Sequence, residues 1–180
     1  LPTMEKYPEK ISHVALSIDG ANAETHDELR GKKGAFDKVK KAAQIYLEKG
    51  FKVKASMTLN QINKGEVREF IKLAESLGIK NIGFGGTIPT VWNEHLLLSD
   101  GEALALYQQI EELQKETEIE IKTVSALYTR GGVNFCNVLS LRELTFNSNG
   151  DLIFCCDTVE SGVVIGSLQE YPLKDLMQKW

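Results

Sequence analysis

The sequence is poor in several residue types, and each shortage excludes a class of protein. Only three of the 180 residues are cysteines, and two are adjacent, so a disulfide framework is excluded and a reducing, cytoplasmic location is expected. No apolar run is long enough to cross a bilayer, and no segment resembles a signal peptide. Lysine and arginine total 21 against 25 aspartates and glutamates, a net charge of -4 that argues against binding nucleic acid or an anionic membrane. These absences leave an ordinary globular protein.

The sequence does contain an alternation of short apolar strands with amphipathic helices. Residues 11–18, 51–59, 79–84 and 119–124 predict strands, and Gly50 and Gly78 end the helices before two of them. Such an order with short connections indicates parallel pairing and right-handed crossovers. The first two strands have one bulky apolar face and one small polar face, unlike those of a flat doubly wound sheet. We therefore predict an α/β fold, a partial (β/α) barrel of three to four parallel strands with helices outside.

Two helix starts and a change of pattern complete the predicted organisation. Asn63 with Glu66, and Ser99 with Glu102, have capping-box spacing. After about residue 128 the βα pattern stops. Residues 141–146 and 152–154 then predict a β-hairpin around an Asn-Gly turn, and residues 172–180 predict a short helix. The sequence thus predicts a barrel domain over residues 1–127 and a small β-hairpin extension over residues 128–180.

The first candidate site follows the first strand, where Ser17, Asp19 and Gly20 precede Arg30. Ligands of parallel α/β proteins bind at the carboxyl ends of strands. A hydroxyl and a carboxylate there could hydrogen-bond to a ribose, and Arg30 could bind a carboxylate in a bidentate manner. The alternative is an ordinary turn with Arg30 on the surface. His13 is predicted to line the cavity, and His26 to lie in a loop.

Two further features are open to two interpretations. The segment 83–86, Gly-Phe-Gly-Gly, offers bare backbone to a flat ring, but it lacks the spacing of a dinucleotide fingerprint and would also suit a simple turn. Cys136 is followed by Cys155 and Cys156 at a spacing that is not typical of zinc sites. Adjacent cysteines on a strand point to opposite faces, so at most one would readily join Cys136 in a metal site. Buried structural thiols are the alternative.

Together these motifs resemble a known family. Residues 17–20 (SIDG), 26–31 (HDELRG) and 34–37 (GAFD) are similar to the fourth βα unit of radical S-adenosylmethionine (SAM) enzymes, and the similarity continues through residues 58–60, 63 and 77–79. Cys136, Gly150 and Cys155 resemble the opening of a SPASM or Twitch extension, which holds auxiliary iron–sulfur clusters. The two motifs occur in the order that the family has.

The resemblance implies a set of site residues and cofactors. Ser17 and Asp19 would contact the SAM ribose, and Arg30 the methionine carboxylate. Backbone at Phe84 and Gly85 would meet the adenine. Cys136 and Cys155 would ligate an auxiliary cluster. Members of the family are oxidoreductases that use a [4Fe–4S] cluster to cleave SAM reductively to a 5′-deoxyadenosyl radical. That radical abstracts a hydrogen atom from a substrate such as a peptide or a cofactor precursor.

The sequence departs from the family in one respect. The three-cysteine motif that binds the SAM-cleaving cluster is absent, so we expect a fragment of the parent enzyme, inactive alone and without bound cofactors. The first residue, Leu1, favours the same interpretation. Exposed sheet edges of such a half-barrel could drive self-association. The alternatives are a non-catalytic nucleotide- or protein-binding module with a degenerate half-barrel, and an aldolase-like barrel fragment with Asp19 or His13 as base.

Overall fold

The computed structural model describes residues 6, 8–124, 144–154 and 163–179, which divide into two compact units, Leu1–Thr129 and Arg130–Trp180. The first unit has a parallel sheet of four strands in the order β1-β2-β3-β4. Its strands are β1 (Val14–Ser17), β2 (Val53–Leu59), β3 (Asn81–Gly86) and β4 (Glu120–Val124). This architecture confirms the predicted α/β class. The domain boundary expected after residue 127 lies outside the described residues and stays a prediction.

Four helices connect these strands: α1 (Ala23–Leu29), α2 (Ala35–Glu48), α3 (Val67–Ser76) and α4 (Asp100–Gln114). Gly50 and Gly78 follow α2 and α3 with φ of 79° and 76°, the left-handed conformation that glycine adopts readily. The capping box of Ser99 and Glu102 is present at the start of α4, as predicted. None of the helices in the described ranges is long and apolar enough to span a membrane.

The hydrophobic core lies between the sheet and its helices. Alternate residues of β2 are fully buried, from Val53 to Leu59, while Thr58 between them is exposed. Phe84 of β3 meets Phe70 of α3 edge to face, with ring centroids 5.4 Å apart, and neither side chain is exposed. Such aromatic pairs add to the stabilisation from burial. The opposite face, here the open face, has smaller and polar side chains, and Ala15, Ser17 and Thr58 on it are exposed.

Two local predictions are wrong. Asn63 forms no capping hydrogen bond, because its side-chain oxygen accepts from the Asn60 N–H instead. Glu66 makes no capping box, because its carboxylate binds the loop that follows β1. The helix predicted to start at Asn63 begins instead at Val67, after a 3-10 turn over Lys64–Glu66. His26 lies in α1 rather than in a loop, since Asn22 caps that helix by accepting a hydrogen bond from the Thr25 N–H.

The second unit contains a three-stranded antiparallel sheet, β5 (Thr145–Phe146), β6 (Asp151–Ile153) and β7 (Val164–Ser167), and the helix α5 (Leu173–Lys179). Asn147 organises the turn between β5 and β6, where its side-chain oxygen accepts hydrogen bonds from two backbone N–H groups. Gly150 completes that turn with φ of 83°. The predicted hairpin and terminal helix are therefore present, whereas β7 is an additional strand.

Candidate functional site

The predicted site residues of the first unit meet at the carboxyl edge of the parallel sheet. Ser17 is level with Ser56, which is level with Gly83, so the three lie side by side on the open face of three adjacent strands. Gly85 is level with Thr58, two residues further along the same face. The Ser17 side chain is exposed and, within the described part of the chain, forms no hydrogen bond. Ser56 lies between Ser17 and β3, where Gly83 is buried against the Lys54 side chain and the half-buried Gly85 has no side chain of its own.

Asp19 is buried just beyond β1, and both of its carboxylate oxygens have partners. One accepts a hydrogen bond from the Thr58 N–H at 2.9 Å, and the other forms an ion pair with Arg30 at 2.5 Å. The Arg30 side chain is 40% exposed, so part of it remains accessible to solvent beside the ion pair. A guanidinium has five donors, and one carboxylate leaves several of them for a second acceptor. The arrangement makes Asp19 an orienting group and Arg30 a possible anion ligand.

His26 holds the backbone of the same loop. Its Nδ1 accepts a hydrogen bond from the Asp19 N–H at 3.0 Å, and its ring packs on Phe36, with centroids 5.7 Å apart. Burial lowers the pKa of His26, and the neighbouring Arg30 lowers it further, against the opposing effect of Asp19 and Asp27. The ring is therefore neutral at neutral pH, as an acceptor at Nδ1 requires.

Asp27 joins α1 to α2. Its carboxylate accepts hydrogen bonds from the Phe36 N–H at 2.8 Å and the Gly34 N–H at 2.5 Å. The Phe36 N–H, with a smaller contribution from Gly34, holds the pKa of Asp27 below its usual range. The carboxylate is thus a charged acceptor at neutral pH, and it fixes the start of α2 behind the site.

Two residues of the second βα unit, Asn63 and Glu66, bind the loop that follows β1. We call these two residues and their partners the interloop cluster; the partners are Asp19, Ala21, Asn22 and Thr25. Asn63 is fully buried, and its amide nitrogen donates to the backbone oxygens of Asp19 and Thr58, each at 2.9 Å. Glu66 accepts from the Ala21 N–H at 2.6 Å and from the side chains of Asn22 and Thr25. Because the spacing of Asn63 and Glu66 matches a capping box, the sequence alone did not indicate this role.

Glu102 makes a second connection along the same edge, between the loop after β2 and the start of α4. Its carboxylate accepts from Lys64, from Gln61 at 2.9 Å, and from the backbone and side chain of Ser99. Lys64 above all, followed by Ser99 and Gln61, lowers the pKa of Glu102 from 4.5 to about 2. Three successive βα loops are therefore joined through carboxylates and amides.

The depressed pKa of Glu102 predicts a measurable acid dependence of stability. Because the unfolded chain binds this proton more readily than the folded chain, the stabilisation is complete above pH 4.5 and is lost as the pH falls towards 2. Urea denaturation of Glu102→Gln should show a shallower loss of stability across that window than the parent chain. Glu69→Gln, an exposed change on α3, should keep the parental slope. Equal slopes for Glu102→Gln and the parent would contradict this expectation.

The predicted cluster ligands Cys136 and Cys155 lie outside the described residues, as does Cys156. Within the residues that the structure does describe, no group of three or more histidine, cysteine, aspartate or glutamate side chains is placed to hold a metal ion. The assignment of these cysteines stays a prediction.

Known proteins resemble this chain over much of its length, although no protein-family model matches it. An AdoMet-dependent heme synthase from Methanosarcina barkeri is 32% identical over 120 residues, covering 64% of this chain and 34% of that protein. The subtilosin biosynthesis protein AlbA from Bacillus subtilis is 30% identical over 84 residues, covering 47% and 18%. The chain thus spans about a third or less of the length of these curated relatives.

A solved structure shares the fold. SuiB from Streptococcus suis, in its complex with S-adenosylmethionine, matches with a TM-score of 0.70 and 14% identity over 91% of this chain and 41% of that chain. The fold agrees with the predicted partial barrel followed by a small β extension. These sequence relatives, together with the shared fold, support the assignment of the chain to the radical SAM family of the SPASM type.

Proposed function

We propose that this chain supplies part of the SAM-binding surface of a radical SAM enzyme. The observation that carries the proposal is the arrangement at the carboxyl edge, where the exposed Ser17 ends β1 and the partly exposed Arg30 pairs with Asp19 just beyond it. Two strands away, the half-buried Gly85 adds no side chain to the same face of β3. A hydroxyl acceptor, a cation and bare backbone suit the ribose, the carboxylate and the adenine of SAM respectively.

Each proposed contact has a distinct chemical basis. Ser17 would hydrogen-bond to the ribose, and Arg30 would bind the methionine carboxylate through donors that Asp19 leaves free. Since the carboxylate of Asp19 already binds Arg30 and the Thr58 N–H, its proposed part is to orient the guanidinium. The Phe84 side chain is buried in the core, so only the backbone of Phe84 and Gly85 would reach the adenine.

The iron–sulfur chemistry would be divided between this chain and residues outside it. Cys136 and Cys155 are proposed ligands of an auxiliary cluster. The chain contains no three-cysteine motif, so the SAM-cleaving cluster would be held elsewhere in the parent enzyme, and this chain alone would be inactive. When bound, that [4Fe–4S] cluster supplies the electron that breaks a carbon–sulfur bond of SAM.

The proposed substrate is a peptide or a haem precursor. These are the classes that the names of relatives indicate, since they include a heme synthase, an Fe-coproporphyrin III synthase and a sporulation killing factor maturation protein. A further structure of SuiB contains its precursor peptide SuiA.

Titration of the isotopically labelled chain with an excess of SAM tests this proposal, since a chain that retains no cofactor on its own can still bind added SAM reversibly. Backbone amide signals of Ser17 and Gly85 should shift, and the Kd from those shifts should rise in two variants. Loss of one hydrogen bond in Ser17→Ala should raise it about fivefold, and loss of the charged contact in Arg30→Ala more than tenfold. Ser12→Ala and Arg68→Ala are matched controls, because Ser12 precedes β1 at the opposite edge and Arg68 binds Glu116 away from the site. Absence of SAM-dependent shifts, or unchanged Kd values in both variants, would disprove the proposal.

A further inference from the structure

We propose that Glu66 is a positioning residue for SAM, which sets the place of Arg30 and of the Asp19 loop without touching the ligand. This inference rests on the proposed function, because it specifies how that same site is held in its binding geometry. It assigns a role to a residue of the second βα unit, whereas the proposed ligands Ser17 and Arg30 belong to the first.

The contacts of Glu66 concentrate on the few residues where the loop becomes a helix. One carboxylate oxygen accepts from the Ala21 N–H at 2.6 Å. The other accepts from the Asn22 side chain at 3.0 Å and from the Thr25 hydroxyl. Asn22 also caps α1 through the Thr25 N–H, at 3.0 Å. A single carboxylate thus binds a backbone N–H, the cap of α1 and a residue of its first turn.

The position of α1 in turn determines the geometry of the site. The helix carries His26, which binds the Asp19 N–H, and Arg30 follows its last residue and pairs with the Asp19 carboxylate. A shift of the first turn therefore moves the guanidinium and the Asp19 loop together. Asn63 donates to the Asp19 backbone oxygen and Glu66 accepts from the Ala21 N–H, so the loop is held at two points.

The charge of Glu66 matters because all three of its partners are donors. A carboxylate offers two anionic oxygens, whereas the amide of glutamine offers one neutral oxygen and a nitrogen that cannot accept. In Glu66→Gln either the Ala21 N–H or the pair of side-chain donors therefore loses its acceptor. The shape of the side chain is retained, so core packing is not expected to change.

The test measures SAM affinity and local order on the 180-residue chain in four forms. Glu66→Gln should raise the Kd for SAM roughly tenfold, equivalent to about 1.4 kcal/mol, and should speed hydrogen exchange of the Ala21 amide. Glu69→Gln removes the same charge from an exposed site on α3 and should leave both quantities unchanged. Ile110→Val lowers stability in the buried face of α4, away from the loop, and should leave SAM affinity unchanged despite its lower melting temperature.

The outcomes separate the inference from the proposed function. If the parent chain does not bind SAM, the proposed function fails and this inference fails with it. If the parent binds SAM and Glu66→Gln binds it equally well, only the positioning role is disproved. A loss of affinity in both Glu66→Gln and Ile110→Val would show that affinity follows global stability, which also overturns the role. Loss in Glu66→Gln alone, with faster exchange at Ala21, is the expected result.

Discussion

Gly20→Ala is expected to destabilise the first unit by about 3 kcal/mol, the upper range for inserting a methyl group where no space exists. A Cβ at Gly20 would lie 2.6 Å from the backbone nitrogen of His26 and 2.9 Å from the Thr25 Cβ. Both atoms belong to the first half of α1, so the clash cannot be relieved by rotating a surface side chain. The helix must move, and the His26 and Thr25 hydrogen bonds of the site must lengthen. We therefore expect the variant to lose measurable SAM binding as well.

Urea denaturation followed by circular dichroism measures the stability change, and Gly101→Ala is the matched control. Gly101 lies in the first turn of α4, where an added Cβ meets nothing within 4 Å. There the same substitution should stabilise by about 0.5–1 kcal/mol, since alanine loses less backbone entropy than glycine in a helix. Opposite signs at the two positions are the expected result. A neutral Gly20→Ala would show that the close approach of α1 is not required.

Asn63→Asp is expected to have an equally large effect from a change that preserves volume. The amide nitrogen of Asn63 donates to two backbone oxygens, of Asp19 and Thr58, in a position with no solvent exposure. A carboxylate there donates nothing and repels both oxygens. We expect a loss of about 4 kcal/mol, because the Asn60 N–H that already binds the Asn63 side-chain oxygen is too little compensation for a buried charge.

The acid dependence of Asn63→Asp provides a second measurement. Burial against two carbonyl oxygens raises the pKa of the introduced carboxyl above its unfolded value, so the folded variant binds its proton more tightly. Its stability should therefore rise as the pH is lowered from neutrality, whereas that of the parent should not. Asn149→Asp adds the same charge on an exposed turn of the second unit and should leave stability nearly unchanged. A parent-like pH profile for Asn63→Asp would contradict the assigned hydrogen bonds.

The strands and helix ends could be predicted from the sequence because their causes are local. The alternation of large and small side chains in β2 indicates which residues face the core and which face away from it. Gly50 and Gly78 supply the positive φ that ends the helix before each of them. The capping box at Ser99 and Glu102 is also contained within four residues. Each of these features can be recognised without knowing which strands are neighbours in the sheet.

The interloop cluster could not be predicted in the same way, because its partners are distant in sequence. Ala21 and Glu66 are separated by 45 positions, and their contact exists only once β1 and β2 pair in register. Local spacing at Asn63 and Glu66 favoured a capping box, and tertiary contacts displaced it. The partners of Asp19 depend on the same register, since Thr58 reaches its carboxylate from the adjacent strand.

The hydrogen bonds that Glu66 and Glu102 make across βα units limit how hybrid proteins can be made by exchanging segments between family members. Loops at the carboxyl edge share hydrogen bonds across βα units, so a transplanted loop would arrive without its partners. The opposite edge is different, because Gly50 and Gly78 occupy turns where an added Cβ would meet nothing within 4 Å. A junction at Gly78 keeps the Asp19 loop and the segment 60–66 in the same parent, whereas a junction at Gly50 separates them, so hybrids joined at Gly78 should be the more stable.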